Sequence, residues 1–143
     1  LFRSKVQQLP VKQHRTKTTN RYFNYIYVRM GAHTLIHKRT EDDIWKNLFE
    51  LPLVETEKDL SEEEFLACPQ FHALFAEGEV RMVRTLLRGV KHVLSHRVIY
   101  TNFYEVTLPD NSSSFSSYQR VAVEDLGRYA VPRLIHAFLE KYV

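Results

Sequence analysis

The sequence predicts a single domain of the α/β (α+β) class, a mixed sheet with helices packed on it. Three observations lead to this prediction. Stretches rich in aromatic and β-branched residues recur between residues 21 and 123, a capping-box sequence starts at Ser61, and apolar residues recur at helical spacing near the C-terminus. The 143 residues, 44% of them hydrophobic, are enough to build one core.

The charge distribution places a basic segment before an acidic one. Residues 1–40 contain nine Lys and Arg residues and no Asp or Glu, whereas residues 41–64 contain ten carboxylates. Such charges often form only a solvated surface, but an all-basic stretch favours a polyanionic partner such as DNA. Residues 1–19, which are polar and without periodicity, are predicted to be a basic interdomain linker or arm, and residues 20–143 the folded domain.

Strand-like sequence opens the folded part. Residues 21–30 are rich in aromatic and β-branched residues, Gly31 is a turn signal, and residues 34–39 give a second strand. We therefore expect these two strands to form a β-hairpin. A short third strand is predicted at residues 48–54.

Three signals define the helices. Ser61 and Glu64 have the spacing of a capping box, in which each side chain satisfies a backbone N–H of the other residue. Pro69 is expected to interrupt this helix, with a helical apolar face continuing as far as Gly78. Near the C-terminus, Pro132 is placed to start an amphipathic helix.

The chain between these helices is predicted to be mainly strand. Residues 80–108 are strand-like with a break at residues 94–97, which implies two strands joined by a turn. Residues 109–117 form a loop by composition, since they consist largely of Ser, Asn, Asp and Pro. Residues 118–123 give a further strand.

The cysteine count and the hydropathy exclude several classes of protein. Cys68 is the single cysteine, so the chain has no internal disulfide framework and no Cys-based zinc or iron–sulfur site. No apolar run approaches the roughly 20 residues that a membrane span needs, and no secretory signal pattern is present. We expect a soluble protein of a reducing cytoplasm.

Several segments in a fixed order carry a resemblance to a known family. They are LPVK at residues 9–12 and TKT at 16–18, a basic pair at 38–39 followed by IWKNLFELP at 44–52, HVLSH at 92–96, and YAVPR at 129–133. Together they resemble the C-terminal domain of bacterial MutY-family A/G-specific adenine DNA glycosylases. The resemblance covers nearly the whole chain, from about residue 9 to its last residue.

The resemblance implies a Nudix-like fold and a role in base-excision DNA repair, namely recognition of 8-oxoguanine in 8-oxoguanine:adenine mispairs of double-stranded DNA. It implies that the parent enzyme hydrolyses an N-glycosyl bond with catalytic residues and a 4Fe–4S cluster that lie upstream, in an N-terminal catalytic domain. This chain is then expected to have no catalytic residue, metal or cofactor and to be inactive alone. Its partners would be that catalytic domain and DNA, without a membrane, at the nucleoid in the bacterial cytoplasm.

The family's His-x-Phe-Ser-His recognition loop matches residues 92–96. By this resemblance the lesion is recognised by Leu94, Ser95 and His96, and the DNA backbone is bound by Lys91, His92 and Arg97. A Ser hydroxyl suits the task, because 8-oxoguanine has a ring N–H donor where guanine has an acceptor nitrogen. An aliphatic side chain can fill space beside the base and unstack a base step.

Two positions depart from the family pattern. Leu94 stands where the family commonly has Phe, which removes an aromatic ring from the loop. Lys46 and Asn47 stand where a Gly-Gly pair is common, which restricts the backbone at a turn.

The alternative function is that of a Nudix-type nucleotide pyrophosphohydrolase. Its magnesium site needs an Arg-Glu-x-x-x-Glu-Glu helix entered from a Gly-rich turn, so that several carboxylates converge on the metal. Here no Gly follows Pro52 and no Arg precedes the three glutamates at residues 62–64, so we interpret these as helix-start charges. A protein-interaction domain with a basic tail is a third possibility, and it predicts no preference for the lesion.

Overall fold

The computed structural model describes residues 18–143, so most of the predicted arm, residues 1–17, lies outside the described part. The first strand begins at Thr19. The elements in chain order are β1 (Thr19–Arg29), β2 (His33–Lys38), β3 (Phe49–Glu50), β4 (Leu53–Thr56), α1 (Glu62–Ala67), α2 (Pro69–His72), β5 (Met82–Leu94), β6 (Arg97–Thr107), β7 (Gln119–Ala122), a 3₁₀ helix (Val123–Arg128) and α3 (Arg133–Tyr142).

The strands form two sheets. The larger has the order β4-β1-β6-β5, in which β1 and β6 pair in parallel and the outer pairs are antiparallel. The smaller has the order β3-β2-β7 and is antiparallel throughout. The predicted mixed sheet of the α/β (α+β) class is thus confirmed, with a second sheet beside it.

The hairpin expected from residues 21–30 and 34–39 is wrong. β1 and β2 belong to different sheets, and only an isolated bridge between Met30 and His33 joins them. β1 is paired with β6 along its whole length and with β4 at residues 22–25, whereas β2 takes β3 and β7 as its neighbours. Turn signals report that the chain reverses, but they do not report which neighbour a strand finally takes.

The single strand expected at residues 48–54 is divided between the sheets. Phe49–Glu50 pairs with β2, and Leu53–Thr56 pairs with β1. Pro52 lies where the chain passes from one sheet to the other. It has no N–H to donate to the hydrogen bonds of a sheet, but its carbonyl accepts from the Ile26 N–H at 2.9 Å.

The helix signals hold at the start of α1. Ser61 and Glu64 form the predicted capping box, with backbone-to-side-chain distances of 2.9 and 3.1 Å. Pro69 ends that helix and starts α2, which is only one turn long and does not reach Gly78. The apolar residues after it lie in a turn, where Phe75 contacts Phe71 edge-on at 5.1 Å.

The second half of the chain agrees with the predicted pattern. β5 and β6 are separated by the expected break, and residues 109–117 contain no strand or helix. Pro132 is the N-cap of α3. The 3₁₀ helix before it was not expected from the sequence.

Two apolar clusters cover the two faces of the larger sheet. On one face Phe103 stacks on Phe138 of α3 at 4.1 Å, and on the other Tyr104 stacks on Phe65 of α1 at 4.6 Å. We call these the α3-side and the α1-side cores. Within residues 18–143, no helix is long and apolar enough to span a bilayer.

Candidate nucleic-acid interface

The six residues expected to bind DNA lie together at one end of the larger sheet. β5 ends at Leu94 and β6 begins at Arg97, and these two residues pair with each other. Ser95 and His96 form the two-residue turn between them, and both are exposed. The Ser95 hydroxyl is therefore placed at the tip of a hairpin, open to a partner.

Four of the six residues lie in strands, and strand alternation places their side chains on two sides of the sheet. Residues facing each other in an antiparallel pair share a face, and the face alternates along a strand. Since His92 pairs with Ile99 of the α3-side core, His92, Leu94 and Arg97 lie on that side. Lys91 points the other way.

Two of the six residues, His92 and Leu94, pack against other side chains of the domain. The His92 ring meets Trp45 edge-on at a centroid distance of 6.0 Å, and Leu94 is half-buried against the α3-side core. Leu94 therefore anchors the hairpin with part of its side chain and leaves the remainder at the surface. The cations of Lys91 and Arg97 are exposed.

The start of β1 is hydrogen-bonded to the turn. The Thr19 N–H donates to the His96 carbonyl at 3.1 Å, and the Thr19 hydroxyl donates to the same oxygen at 3.4 Å. Because residues 1–17 connect to the fold here, the basic segment joins the domain beside the hairpin tip.

The turn that carries Trp45 includes Lys46 and Asn47, which stand where the family commonly has Gly-Gly. Trp45 and Asn47 have φ angles of 58° and 73°, in the left-handed region. Asn is the non-glycine residue that tolerates this conformation best, and its N–H donates to the Arg39 carbonyl at 2.7 Å. The Trp45 ring is thereby held against Phe23 and His92.

A buried charge network supports this turn, and its members were not recognised from the sequence as a group. The Arg39 guanidinium donates to the Glu50 carboxylate at 3.0 Å and to Asp43 at 2.9 Å, and the Tyr25 hydroxyl donates to Glu50 at 2.8 Å. Arg21 also donates to Asp43, at 2.8 Å. An arginine and a glutamate in the strands flanking a turn were the only sequence signal.

The network shifts the acid–base properties of its members. Hydrogen bonds from Arg21 are the main reason that the pKa of Asp43 lies well below its usual range, and a bond from the Ile44 N–H and the positive charges of Arg21 and Arg39 lower it further. Its own bonds to Glu55 and Asp43 raise the pKa of Arg21. Burial, and then the negative charge of Glu50, raises the pKa of Tyr25 well above its ordinary value. Near neutral pH Arg21 and Asp43 are therefore charged, and Tyr25 is neutral.

A glycine bulge shapes the hairpin further from its tip. The register of β5 against β6 shifts between Leu87 and Val90, where Gly89 has a φ of 71°. The Gly89 N–H donates to the buried Asn102 side chain at 2.8 Å, and Asn102 donates to Asn24 at 3.1 Å. A bulge of this kind bends a strand and re-aims the residues beyond it.

The three carboxylates of α1 have separate surroundings. Glu62 accepts from the Thr85 hydroxyl, Glu64 is engaged in the capping box, and Glu63 is exposed. Within residues 18–143, no three Asp, Glu, His or Cys side chains are grouped closely enough to hold a metal ion. The geometry therefore supports helix-start charges at these positions.

Residues 24–141 match the family model described as NUDIX domain. The fold also resembles solved structures. The C-terminal domain of mouse MUTYH, solved in complex with human PCNA, has a TM-score of 0.64 and 14% identity, covering 85% of this chain and 86% of that one. A MutT protein from Methanosarcina mazei Go1 has a TM-score of 0.55 and 18% identity, covering 87% and 93%.

A third similar structure is the M. smegmatis Nudix hydrolase RenU, with a TM-score of 0.54, 8% identity, and coverage of 87% of this chain and 84% of that one. At such identities the likeness shows the fold alone. No curated protein sequence matches the chain.

Proposed function

This chain belongs to the NUDIX domain family, and we propose that within it the chain serves as the lesion-recognition domain of a MutY-type adenine DNA glycosylase, reading 8-oxoguanine opposite adenine. The observation that carries the proposal is the exposed Ser95–His96 turn at the tip of a hairpin anchored from both sides. A similar fold in the MUTYH C-terminal domain supports it.

The proposed chemistry assigns a separate task to each group. The Ser95 hydroxyl accepts the ring N–H that distinguishes 8-oxoguanine from guanine, and backbone amides of the turn face the new oxygen. The exposed part of Leu94 fills space beside the base. Lys91, His92 and Arg97 bind phosphates and fix the register on the duplex without carrying sequence information.

In this proposal the chemistry of base removal belongs to another part of the parent enzyme. An upstream catalytic domain, with its 4Fe–4S cluster, excises the adenine, and the present chain supplies the preference for the lesion. The partners are that domain and double-stranded DNA in the bacterial cytoplasm. The basic segment of residues 1–17 adds electrostatic attraction, since it contains five Lys and Arg residues and no acid.

The test is equilibrium binding of the chain to two duplexes that differ only in having 8-oxoguanine or guanine opposite adenine. Ser95→Ala leaves a buried donor of the lesion unpaired, at a cost of about 1–3 kcal/mol. The preference for the lesion should therefore fall by about tenfold to a hundredfold. His96 takes part in recognition by holding a phosphate beside the lesion, and His96→Ala should weaken both duplexes equally, because a phosphate contact is blind to the base.

A matched control is Ser117→Ala, which removes an exposed hydroxyl from the 109–117 loop. It should change neither affinity nor preference. If Ser95→Ala lowers only the melting temperature and keeps the lesion preference, then Ser95 merely caps the turn and the proposal fails.

Hydrolysis of a nucleoside triphosphate is the second candidate, because MutT and RenU share the fold. The test is release of a nucleoside monophosphate from 8-oxo-dGTP with magnesium. We expect none, since two of the three α1 carboxylates, Glu62 and Glu64, are engaged in other hydrogen bonds. Steady release that Glu63→Gln or Glu64→Gln abolishes would support this candidate instead.

A further inference from the structure

Within residues 18–143, the side of the hairpin that faces away from the α3-side core carries aromatic and aliphatic side chains that belong to neither core. Val93 pairs with Val98, and Lys91 pairs with Tyr100, so these four side chains share one face. Tyr22 of β1 lies beside Tyr100 in the parallel register, and their rings stack at a centroid distance of 5.6 Å. We call these five residues the tyrosine face.

In the part of the chain that the structure describes, neither core cluster covers the tyrosine face. The same side of β6 continues to Tyr104, which lies under Phe65 of α1, but none of the four apolar residues belongs to either core cluster. Val93 is 65% exposed, the largest value among the large hydrophobic residues exposed in residues 18–143. Val93 continues into the half-buried Val98, Tyr100 and Tyr22, and a contiguous apolar patch of this kind marks a contact surface.

Charge limits what can lie on this surface. Lys91 is exposed at one border, and the turn with His96 and Arg97 adds basic groups at the hairpin end. At the opposite border the chain after β4 carries Glu57 and Asp59, both exposed. A polyanion is therefore attracted to the β5–β6 side and repelled from the β4 side.

The surface is also continuous with the turn that reads the lesion in the proposed function. Val93 is two residues from Ser95, near the end of the ribbon that β5 and β6 form, and the outer edge of β6 in this ribbon is paired with β1 as far as Arg97. A duplex held at Ser95 has its neighbouring sugars and phosphates within reach of one side of the ribbon.

We propose that the tyrosine face is a second DNA-contact surface, on which Val93, Val98 and Tyr100 pack against deoxyribose next to the lesion while Lys91 binds the adjacent phosphate. This inference rests on the proposed function. It predicts contacts that strengthen binding without distinguishing bases, since sugars and phosphates are the same beside either base.

The experiment places opposite charges on one exposed site. Val93→Asp should weaken binding of the chain to both duplexes by about tenfold or more, because a carboxylate is brought to the phosphates. Val93→Lys should strengthen binding to both. The opposite signs separate a DNA contact from a folding defect, which would weaken binding in both variants.

Met82 provides the matched control, since it is 56% exposed near the other end of the same strand. Met82→Asp and Met82→Lys should change affinity much less than the Val93 variants. If the Val93 and Met82 variants change DNA affinity equally, the effect is general electrostatics and not a local contact. If the Val93 variants leave DNA affinity unchanged, the tyrosine face contacts a protein or nothing. Either result overturns the inference. If the unchanged chain binds DNA without preferring the lesion, the proposed function fails instead.

Discussion

The backbone N–H of Thr19 is hydrogen-bonded to the carbonyl oxygen of His96, 77 residues later in the chain. This bond joins the start of β1, which follows the basic segment in the chain, to the tip of the β5–β6 hairpin. In the proposed function, the basic segment and the hairpin are therefore expected to act together on DNA affinity.

Removal of residues 1–17 should lower DNA affinity and its dependence on salt. Each phosphate that the shortened chain no longer binds reduces the steepness of log K against log salt by about 0.9. Titrations of the full and shortened chains at several salt concentrations give both slopes. An unchanged slope would mean that the segment only tethers the domain.

Leu94→Ala should reduce both stability and lesion recognition, because Leu94 is half-buried against the α3-side core and half at the surface. Loss of a partly buried leucine side chain costs about 1–2 kcal/mol of unfolding free energy. Urea unfolding and duplex binding should be measured on the same preparation. A role confined to DNA would leave the unfolding free energy unchanged.

Arg39→Met should strongly destabilise the fold. It leaves the Glu50 carboxylate, whose side chain is 2% exposed, without its guanidinium partner. Breaking a buried ion pair costs about 3–5 kcal/mol. The exposed pair of Arg128 and Asp125, 3.6 Å apart, is the control, and Arg128→Met should cost about 0–1 kcal/mol in the same urea experiment.

Acid should release the 109–117 loop from its anchor. Hydrogen bonds from Ser112, Ser114 and the Ser113 N–H lower the pKa of Glu79 from 4.5 to about 2. Because the folded-state pKa is depressed, the anchor contributes fully above the unfolded pKa and is lost as pH falls from about 4.5 towards 2. A carboxyl titration by NMR, with exchange of the Ser113 and Ser114 amides, follows this loss. Glu79→Gln should abolish the pH-dependent step.

The elements that local chemistry determines were predictable from the sequence. The capping box at Ser61, the helix break at Pro69 and the turn at Ser95 depend on neighbours within a few residues, and all three occur in the structure. The Ser95 turn is where the family resemblance placed its recognition residues.

Features that depend on distant residues were not predictable in the same way. The pairing of β1 with β6 and the division of residues 48–54 between two sheets follow from how the whole chain closes its core. The charge network could not be predicted for the same reason. Nothing near Glu50 in the sequence shows that Tyr25 and Arg39 converge on it. The exposure of Val93 likewise appears only when the helices are placed.

The parallel pairing of β1 and β6 determines when this domain can fold during its synthesis. The two strands are the middle of the larger sheet, and their linked side chains Asn24 and Asn102 are 78 residues apart. Closing so long a loop has an entropic cost that only the completed sheet offsets. Until β6 has left the ribosome, β1 has only β4 to pair with, and its aromatic residues are open to other nascent chains. Assembly is therefore expected to be late, slow and dependent on nearly the whole chain.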